Sequence, residues 1–348
     1  MHGRVPGGLK SFVTVLLALP LALLYGCESQ APYTADTFVM GTQAWVTLYG
    51  YGEKEAEPIA AEALRELHRI EAVMSTWRPA SEISRLNGAA DGTMRTVSRE
   101  LFTVVDSAFY YAAVTGGAFD ITARPLVRLW GFQGGEPRLP SEDEIAGALE
   151  RVGYGRVALD ASMPGIALPA GMELDLAGIA KGYAVDRCVA LLAERGVTSA
   201  LVNLGGNIYA LGAPPGKRGW TIGIRDPHGG LSTVGALTLK DAAVATSGNY
   251  ENFVEIEGAR YGHIIDPHTG RTVDHVLSVT VVAPTALASD ALSTGLFVLG
   301  GGRGSDLVRR LSGVRALFAE PADGRIMYRT AGDFGDALEL DGEIVQAQ

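Results

Sequence analysis

The sequence predicts an α+β fold in which antiparallel strands are flanked by helices. Clear helical periodicity occurs before residue 199 and after residue 284. The stretch between these points instead has short apolar runs separated by Gly, Pro, Asn and Asp, which is typical of strands and turns. Because regular strand–helix alternation is missing, the pattern does not support a doubly wound parallel sheet.

Four helices are predicted before residue 199, after one strand. Apolar residues alternate over 37–49, as expected of a strand. Apolar residues spaced by three and four, and a capping-box pair at Ser141 and Glu144, then indicate helices that bury one face. Gly196 is the stop signal of the last one. These helices are predicted over 57–75, 98–114, 141–151 and 178–195.

The second half of the chain adds an antiparallel sheet and more helices. Turn clusters at short intervals separate five predicted strands, and this spacing favours antiparallel pairing. Two helices and two closing strands complete the predicted fold. The five strands are predicted over 199–204, 219–225, 233–239, 252–257 and 276–283, and the helices over 285–299 and 303–311.

The N-terminal segment has the layout of an export signal. Basic residues precede an apolar run of about 14 residues, shorter than the roughly 20 that a membrane-spanning helix needs. Cys27 follows Gly26 in an arrangement that resembles the lipobox of bacterial lipoproteins. We expect residues 1–26 to be a lipoprotein signal peptide, 27–36 a tether and 37–348 the functional domain, either undivided or built from two intertwined α+β subdomains. The alternative is a conventionally cleaved signal with an incidental cysteine.

Lipidation of Cys27 would hold the protein on a bilayer, since several acyl chains on one residue anchor a protein stably. We therefore expect a protein of the bacterial cell envelope that faces the periplasm or another extracytoplasmic side, with the inner membrane favoured. Cys188 is the other of the two cysteines, so a lipidated Cys27 leaves no partner for an intrachain disulfide. The apolar helical pattern around Cys188 predicts that it packs in the core.

The charge balance argues against a nucleic-acid partner. The chain has 29 Lys and Arg against 39 Asp and Glu, which gives a net charge of −10. A protein of this charge has no global positive field that would attract a polyanion. A phosphate-containing ligand would have to be neutralised locally.

Several candidate functional residues stand at the ends of predicted elements. Asp120 follows a glycine pair, and the alternative is a surface residue beside a helix C-cap. Asp175 and Lys181 fall near a predicted helix N-terminus, which favours an anion such as phosphate; a plain N-cap is the alternative for Asp175. His263 is the best placed of six histidines to act as a general acid or base, unless it is only structural.

A pair of oxygen-bearing residues marks the helix predicted from residue 285. Asp290 and Thr294 are four residues apart, so their side chains share one helix face. A carboxylate and a hydroxyl, completed by carbonyl and phosphate oxygens, would suit Mg²⁺. The alternative is that Thr294 bonds back to a carbonyl one turn earlier. Two further polar segments, 203–207 and 246–250, are predicted to be a hairpin turn and a turn between strands.

The order and spacing of these motifs are more specific than any one of them. Together they resemble the FAD:protein FMN transferase family, the ApbE-like flavin transferases, over about residues 37–335. The resemblance implies an ApbE-like, T-fold-related architecture and identifies residues 37–348 as a flavin transferase domain. The segments that carry it are Met40–Thr42, Met74–Trp77, Ser81–Ile83, Asn87, Gly117–Thr122, Leu126, Trp130, Asp175–Gly182, Gly205–Gly206, Ser247–Gly248, His263–Gly270 and Asp290–Thr294.

The resemblance implies a reaction and its participants. Members of this family cleave Mg²⁺-bound FAD, transfer FMN to a Thr or Ser hydroxyl of an acceptor protein and release AMP. It implies FAD as the substrate, Mg²⁺ as the cofactor, and a flavin-accepting subunit or domain of a membrane redox complex as the partner. Two alternatives stay open: an Mg²⁺-dependent FAD pyrophosphatase that releases free FMN, and a non-catalytic lipoprotein that binds flavin or another solute.

The resemblance also assigns roles to individual residues. His263 is expected to help deprotonate the incoming hydroxyl, and Asp290 to hold the metal. Two positions depart from the family pattern, since Trp77 stands where Tyr is frequent and Asn207 where Asp is common. Gly178 has no side chain, so its carbonyl would be the ligand. The implied FAD-contacting residues are Met40, Trp77, Ala118, Phe119, Asp120, Asp175, Lys181 and Ile264, and the implied Mg²⁺ ligands are Gly178, Asp290, Ser293 and Thr294.

Overall fold

A computed structural model describes residues 2–3, 31–134, 136–230, 232–250 and 252–341. The predicted signal peptide, apart from residues 2–3, and the predicted lipidation site Cys27 lie outside the described residues. The first strand begins at Tyr33, so residues 33–36, which were predicted to be tether, belong to the folded domain. No helix within the described ranges has the length and apolar character needed to cross a membrane.

The described residues form seven α-helices and sixteen strands. The helices of the described residues are α1 (Glu53–Met74), α2 (Glu82–Gly88), α3 (Arg99–Val114), α4 (Arg124–Leu129), α5 (Glu142–Leu149), α6 (Ala180–Glu194) and α7 (Ala286–Val308). The strands are β1 (Tyr33–Val39), β2 (Thr42–Leu48), β3 (Met94–Thr96), β4 (Ala158–Asp160), β5 (Gly165–Ala167), β6 (Ala200–Leu204), β7 (Asn207–Leu211), β8 (Trp220–Arg225), β9 (Thr233–Leu239), β10 (Ala242–Gly248), β11 (Phe253–Ile256), β12 (Ala259–Gly262), β13 (Ser278–Ala283), β14 (Arg315–Ala322), β15 (Arg325–Ala331) and β16 (Leu338–Leu340).

An eight-stranded antiparallel sheet forms the centre of the molecule, in the order β1-β2-β6-β7-β10-β13-β14-β15. Helices α1, α6 and α7 pack on one face, and the three-stranded sheet β16-β9-β8 packs on the other. Successive side chains of a strand point to opposite faces. Val281 therefore lies in the core under α7, whereas Val282 lies in the core under the small sheet. The predicted α+β class with antiparallel strands is confirmed.

The predicted helices are confirmed with small shifts at their ends. The short helix α5 has the capping box that the sequence indicates, with the Ser141 side chain accepting from Glu144 N and the Glu144 side chain accepting from Ser141 N. The two helices predicted over 285–311 form α7, which is interrupted at Gly300, where φ is 72°. Cys188 is fully buried and its thiol donates to Ala63 O at 3.1 Å, which confirms its predicted place in the core.

The single strand predicted over 37–49 is wrong. The chain forms the hairpin β1–β2 instead, and Met40 and Gly41 make its two-residue turn with φ of 51° and 74°. A turn with two positive φ values matches the twist of a hairpin, and it is normally signalled by Asn, Asp or Gly at both positions. A methionine at the first position carries no such signal.

Of the two other predicted turns, the one at 203–207 is present and the one at 246–250 is partly replaced by a strand. The hairpin at 203–207 is confirmed, because Leu204 pairs with Asn207 across Gly205 and Gly206. The turn predicted over 246–250 is wrong for its first three residues, which form the end of β10 and pair with β13. The small residues Ala, Ser and Gly concealed this strand, since their β propensity is weaker than that of large branched residues.

Candidate functional site

A cleft of about 720 Å³ opens where the starts of α6 and α7 meet the β6–β7 turn and the β11–β12 hairpin. An adjoining recess of about 290 Å³ shares several of its lining residues. The cleft brings together residues that are up to 254 positions apart in the chain. Among its lining residues are Met40, Trp77, Ala118, Phe119, Asp120, Asp175, Gly178, Lys181, His263, Ile264, Asp290 and Thr294, which is every predicted site residue of the described chain except Ser293.

Ser293 does not present its side chain to the cleft. Its hydroxyl lies 2.9 Å from Ser247 Oγ and donates to Asp290 O, also at 2.9 Å. These bonds link α7 to the end of β10. The Ser293 hydroxyl is thus engaged by protein groups, and the metal-ligand role that the resemblance implies for Ser293 stays a prediction.

Asp290 is held in the cleft by a close crossing of α6 and α7. Gly182 N donates to Asp290 Oδ2 at 2.8 Å. A Cβ at Gly182 would lie 2.2 Å from Ala286 O and 2.8 Å from Asp290 Cβ, so only glycine permits this approach. Asp290 is 5% exposed. Burial raises the pKa of its carboxyl, while the charge of Lys181 and hydrogen bonds from Gly182 and Asn207 lower that pKa.

The oxygen atoms around Asp290 suit a hard cation. Thr294 follows one helical turn later, and a Cβ placed on Gly178 would lie 3.3 Å from Thr294 Oγ1. No group of three or more His, Cys, Asp or Glu side chains within the described ranges is arranged to hold a metal ion. A cation here would therefore have one carboxylate, neutral oxygens and ligand oxygens. That donor set fits Mg²⁺, which is usually bound through one or two carboxylates and substrate phosphates.

His263 carries an oriented, neutral imidazole. Its Nδ1 lies 3.1 Å from Asn252 O, and its backbone N donates to the same oxygen at 3.1 Å. Because a carbonyl oxygen can only accept, Nδ1 carries the proton and Nε2 keeps its lone pair. Burial lowers the pKa of His263 to about 4, and the charge of Lys181 contributes in the same direction. The ring can therefore accept a proton at neutral pH.

Lys181 and Asp175 lie on opposite sides of the entry to α6. Lys181 is in the first turn of the helix, and its Nζ donates to Ala177 O at 2.7 Å. Asp175 accepts from Ala177 N at 3.1 Å and from Gln133 Nε2. The N-cap position belongs to Ile179, so the N-cap alternative for Asp175 is wrong. Its carboxylate stabilises the loop that precedes the helix.

Asp120 ties together two loops at one side of the cleft. One oxygen accepts from Thr122 N and Thr122 Oγ1 at 2.8 and 2.6 Å, and the other accepts from Tyr154 N at 2.9 Å. Burial raises the pKa of Asp120, and these hydrogen bonds oppose the rise. The residue is half-buried. The alternative of a surface residue beside a helix C-cap is therefore wrong.

The rim of the cleft is aromatic. Trp77 is 70% exposed, and Phe253, which the sequence analysis did not identify, is 41% exposed. The Met40 turn at the same rim is fixed by Glu71, whose Oε1 accepts from Met40 N at 2.7 Å. Glu71 Oε2 also accepts from Arg78 at 2.8 Å. Exposed aromatic faces next to a deep polar cleft suit a flat ring joined to a charged group.

Sequence reasoning missed further cleft residues because each is a single side chain without a motif. Asn252 stands at the start of a predicted strand, and only the structure places its carbonyl beside His263. Glu71 and Arg78 reach the adjoining recess through the end of α1, whereas the others reach the cleft through α4 and its following loop or through the β11–β12 hairpin. The missed residues include Glu71, Arg78, Arg124, Gln133, Asn252 and Phe253.

Comparison with known proteins agrees with this geometry. Residues 40–318 match the model of the ApbE family. The chain is 38% identical to the FAD:protein FMN transferase of Treponema pallidum, covering 90% of this chain and 91% of that protein. It is 33% identical to a protein of the same name from Klebsiella pneumoniae, with 86% and 90% covered.

Solved structures of related proteins share the fold of this chain. The ApbE protein of Thermotoga maritima superimposes with a TM-score of 0.78 at 33% identity, covering 89% of this chain and 97% of that one. Flavin transferase ApbE from Vibrio cholerae also gives a TM-score of 0.78, at 29% identity and with 87% and 99% covered. The matched family model, the relatives and the shared fold together show that this chain belongs to the ApbE family.

Proposed function

We propose that this chain is an FAD:protein FMN transferase, which moves FMN from FAD to a Thr or Ser hydroxyl of an acceptor protein and releases AMP. The observation that carries the proposal is that His263, with a free Nε2 lone pair, and the buried carboxylate of Asp290 line one cleft. The names of relatives at 31–38% identity support the same activity.

The reaction is an in-line displacement at phosphorus. The acceptor oxygen bonds to the phosphorus on the riboflavin side of FAD, and the bond from that phosphorus to the bridging oxygen breaks. His263 Nε2 takes the proton of the hydroxyl, which is a weak nucleophile at neutral pH without a base. AMP leaves with the bridging oxygen and its negative charge. The product is a phosphodiester between FMN and the acceptor side chain.

The positive charge available to the pyrophosphate in the cleft would come from a bound cation and from Lys181. Asp290, Thr294 and the carbonyl of Gly178 would hold Mg²⁺, which when bound neutralises the pyrophosphate and the charge that develops on it. Lys181 adds a fixed positive charge beside His263 and Asp290. In a chain with a net charge of −10, this local positive charge favours binding of the dinucleotide.

The remaining cleft residues position the flavin dinucleotide. We assign Met40, Trp77, Ala118, Phe119 and Ile264 to contacts with its apolar and planar parts. The rim aromatics can stack on a flat ring. Such stacking adds about 0.5–1.5 kcal/mol to the binding free energy, beyond the contribution of the buried apolar area. Asp120 and Asp175 act through the loops that they fix, because protein groups already donate to both carboxylates.

The test is to incubate the mature protein with FAD, Mg²⁺ and a flavin-accepting subunit of a membrane redox complex. We expect AMP release and an acceptor whose mass rises by one FMN on a Thr or Ser, with flavin fluorescence retained after denaturation. Free FMN and AMP without labelled acceptor would indicate an FAD pyrophosphatase instead. Flavin binding without AMP formation would indicate a non-catalytic binding protein.

We further propose that the protein is lipid-anchored through Cys27 in the bacterial cell envelope, with its catalytic domain on the extracytoplasmic side. The short apolar run and the Gly26–Cys27 pair support this location. The folded domain begins at Tyr33, so a tether of residues 27–32 would separate it from the bilayer. An enzyme held at the membrane surface would meet acceptor subunits of membrane redox complexes there.

A further inference from the structure

Asn207 is a buried polar residue of the cleft whose side chain is only half satisfied. It is 4% exposed and lines the cleft together with Asp290 and Thr294. Its side chain forms a hydrogen bond with the carboxylate of Asp290. A carboxylate accepts and an amide nitrogen donates, so Nδ2 faces Asp290. Its Oδ1 has no hydrogen-bond partner among the described residues.

The backbone around Asn207 holds this orientation firmly. Asn207 is the first residue of β7 and pairs with Leu204 across a two-glycine turn. Gly205 and Gly206 have φ of 56° and 87°, and Asn203 Oδ1 accepts from Gly206 N at 2.9 Å. The turn is thus fixed by glycine geometry and by a side-chain bond. The unsatisfied oxygen is therefore a stable feature of the cleft wall.

A buried carbonyl oxygen without a donor is unfavourable unless something else satisfies it. Amide oxygens of Asn are among the oxygen ligands that hard cations accept. The same side chain already touches Asp290, the carboxylate assigned to the cation. Thr294 Oγ1 and the backbone of Gly178 lie in the same part of the cleft.

We propose that Asn207 Oδ1 is a direct ligand of the divalent cation that Asp290 and Thr294 hold. This inference rests on the proposed function, because the cation is part of the proposed reaction. Nδ2 orients the Asp290 carboxylate while Oδ1 binds the ion, so one side chain serves both tasks. A neutral ligand at this position leaves the site with one carboxylate. More of the charge of the ion then remains available to the pyrophosphate.

Mn²⁺ titration followed by the EPR signal of the free ion tests the proposal on the full mature chain, without FAD or acceptor. We expect Asn207→Ala to weaken Mn²⁺ binding by about tenfold or more, since loss of groups at a metal site costs on the order of 10–100-fold in affinity. Asn203→Ala loosens the same turn but removes no oxygen from the cleft, so it measures the part of the loss that comes from the turn, and that loss should be smaller than in Asn207→Ala. Circular dichroism in EDTA checks that both variants are folded.

A spectroscopic measurement separates direct ligation from an effect through Asp290. Protein labelled with ¹³C at the asparagine side-chain carbonyl should show a ¹³C coupling to bound Mn²⁺ in pulsed ENDOR. Labelled Asn207→Asp protein should lack this coupling. Unchanged Mn²⁺ affinity in Asn207→Ala, or a wild-type spectrum without the coupling, would overturn the inference. Neither readout depends on transfer, so a protein that binds Mn²⁺ in this way but does not flavinylate an acceptor would reject only the proposed function.

Discussion

At the scale of single residues, the imidazole of His263 is prepared before any substrate binds. The carbonyl of Asn252 fixes its tautomer, and burial together with the nearby Lys181 keeps its pKa at about 4. A free histidine titrates near pH 6.5 and would be partly protonated in many compartments. His263 instead stays neutral throughout the physiological range, so the base is always available.

This property predicts the pH dependence of the reaction. The lone pair of Nε2 is lost only when His263 is protonated. With saturating Mg²⁺, which holds the Asp290 carboxylate ionised, kcat/KM for FMN transfer should stay nearly level from pH 8 to about 5.5 and fall toward pH 4. Initial rates with FAD and acceptor in overlapping buffers measure this. A decline centred near pH 6.5 would contradict the assignment.

The control is substitution of the ring. His263→Gln should lower the transfer rate by about 10²–10⁴-fold, the range typical of a lost general base, while FAD affinity from flavin fluorescence stays near the wild-type value. His228→Gln is the matched variant, because His228 is 73% exposed and does not line the cleft. It should transfer FMN like the wild type.

At the scale of secondary-structure elements, the crossing of α6 and α7 builds the cation site. Asp186 on α6 accepts from Ala286 N and Leu287 N at 2.7 and 2.8 Å, and so satisfies amides at the start of α7. One turn earlier on α6, Gly182 contacts Asp290 directly. The two helices are thereby joined at two points, and the position of the Asp290 carboxylate depends on both.

Gly182→Ala should be destabilising for this reason. The added Cβ would overlap Ala286 O, and overpacking of a tight contact costs about 1–3 kcal/mol in the free energy of unfolding. Urea unfolding followed by circular dichroism measures the change.

Gly147→Ala in α5 is the matched control, because a Cβ there would meet nothing within 4 Å. It should stabilise the protein by about 0.5–1 kcal/mol, as expected for alanine replacing glycine inside a helix. If Gly182→Ala unfolded at the same urea concentration as the wild type, the close crossing would not limit the packing of α6 and α7.

At the scale of the whole molecule, the cleft joins distant parts of the chain, so its ligands should stabilise the whole domain. FAD with Mg²⁺ should raise the melting temperature, since a ligand at 100 times its Kd adds about 2.7 kcal/mol to the free energy of unfolding. EDTA should remove the part of the increase in melting temperature that is due to the cation. Differential scanning fluorimetry of the wild type and Asp290→Asn measures this, and a shift with Mg²⁺ equal in both proteins would contradict the assigned cation site.

The predicted anchor also belongs to this scale. The mature wild-type protein should begin at Cys27 and carry acyl chains, and it should fractionate with membranes. Cys27→Ala should abolish acylation and membrane retention while FAD binding is unchanged, because the folded domain begins only at Tyr33. Mass spectrometry of the N-terminal peptide measures the modification. An unmodified Cys27, or cleavage at another residue, would contradict the prediction.

Local sequence determined the elements and the identity of the chemical groups. Apolar periodicity and the Ser141 cap predicted the longer helices and α5, but not the short helices α2 and α4. The family resemblance implied part of the cleft lining. Periodicity and capping depend on neighbours within a few residues, so the linear pattern contains them. The β1–β2 turn was not predicted, because Met40 adopts a positive φ that its residue type does not signal.

The tertiary structure alone decided how these groups act together. Three features depend on partners at least 11 residues away in the chain. They are the free Nε2 of His263, the hydrogen bond of Ser293 to β10 and the half-satisfied side chain of Asn207. Contacts of this kind are set by how helices and sheets pack, and no local pattern encodes them. The sequence by itself therefore determined which reaction groups the protein has, whereas packing determined which of them face the cleft and in what state.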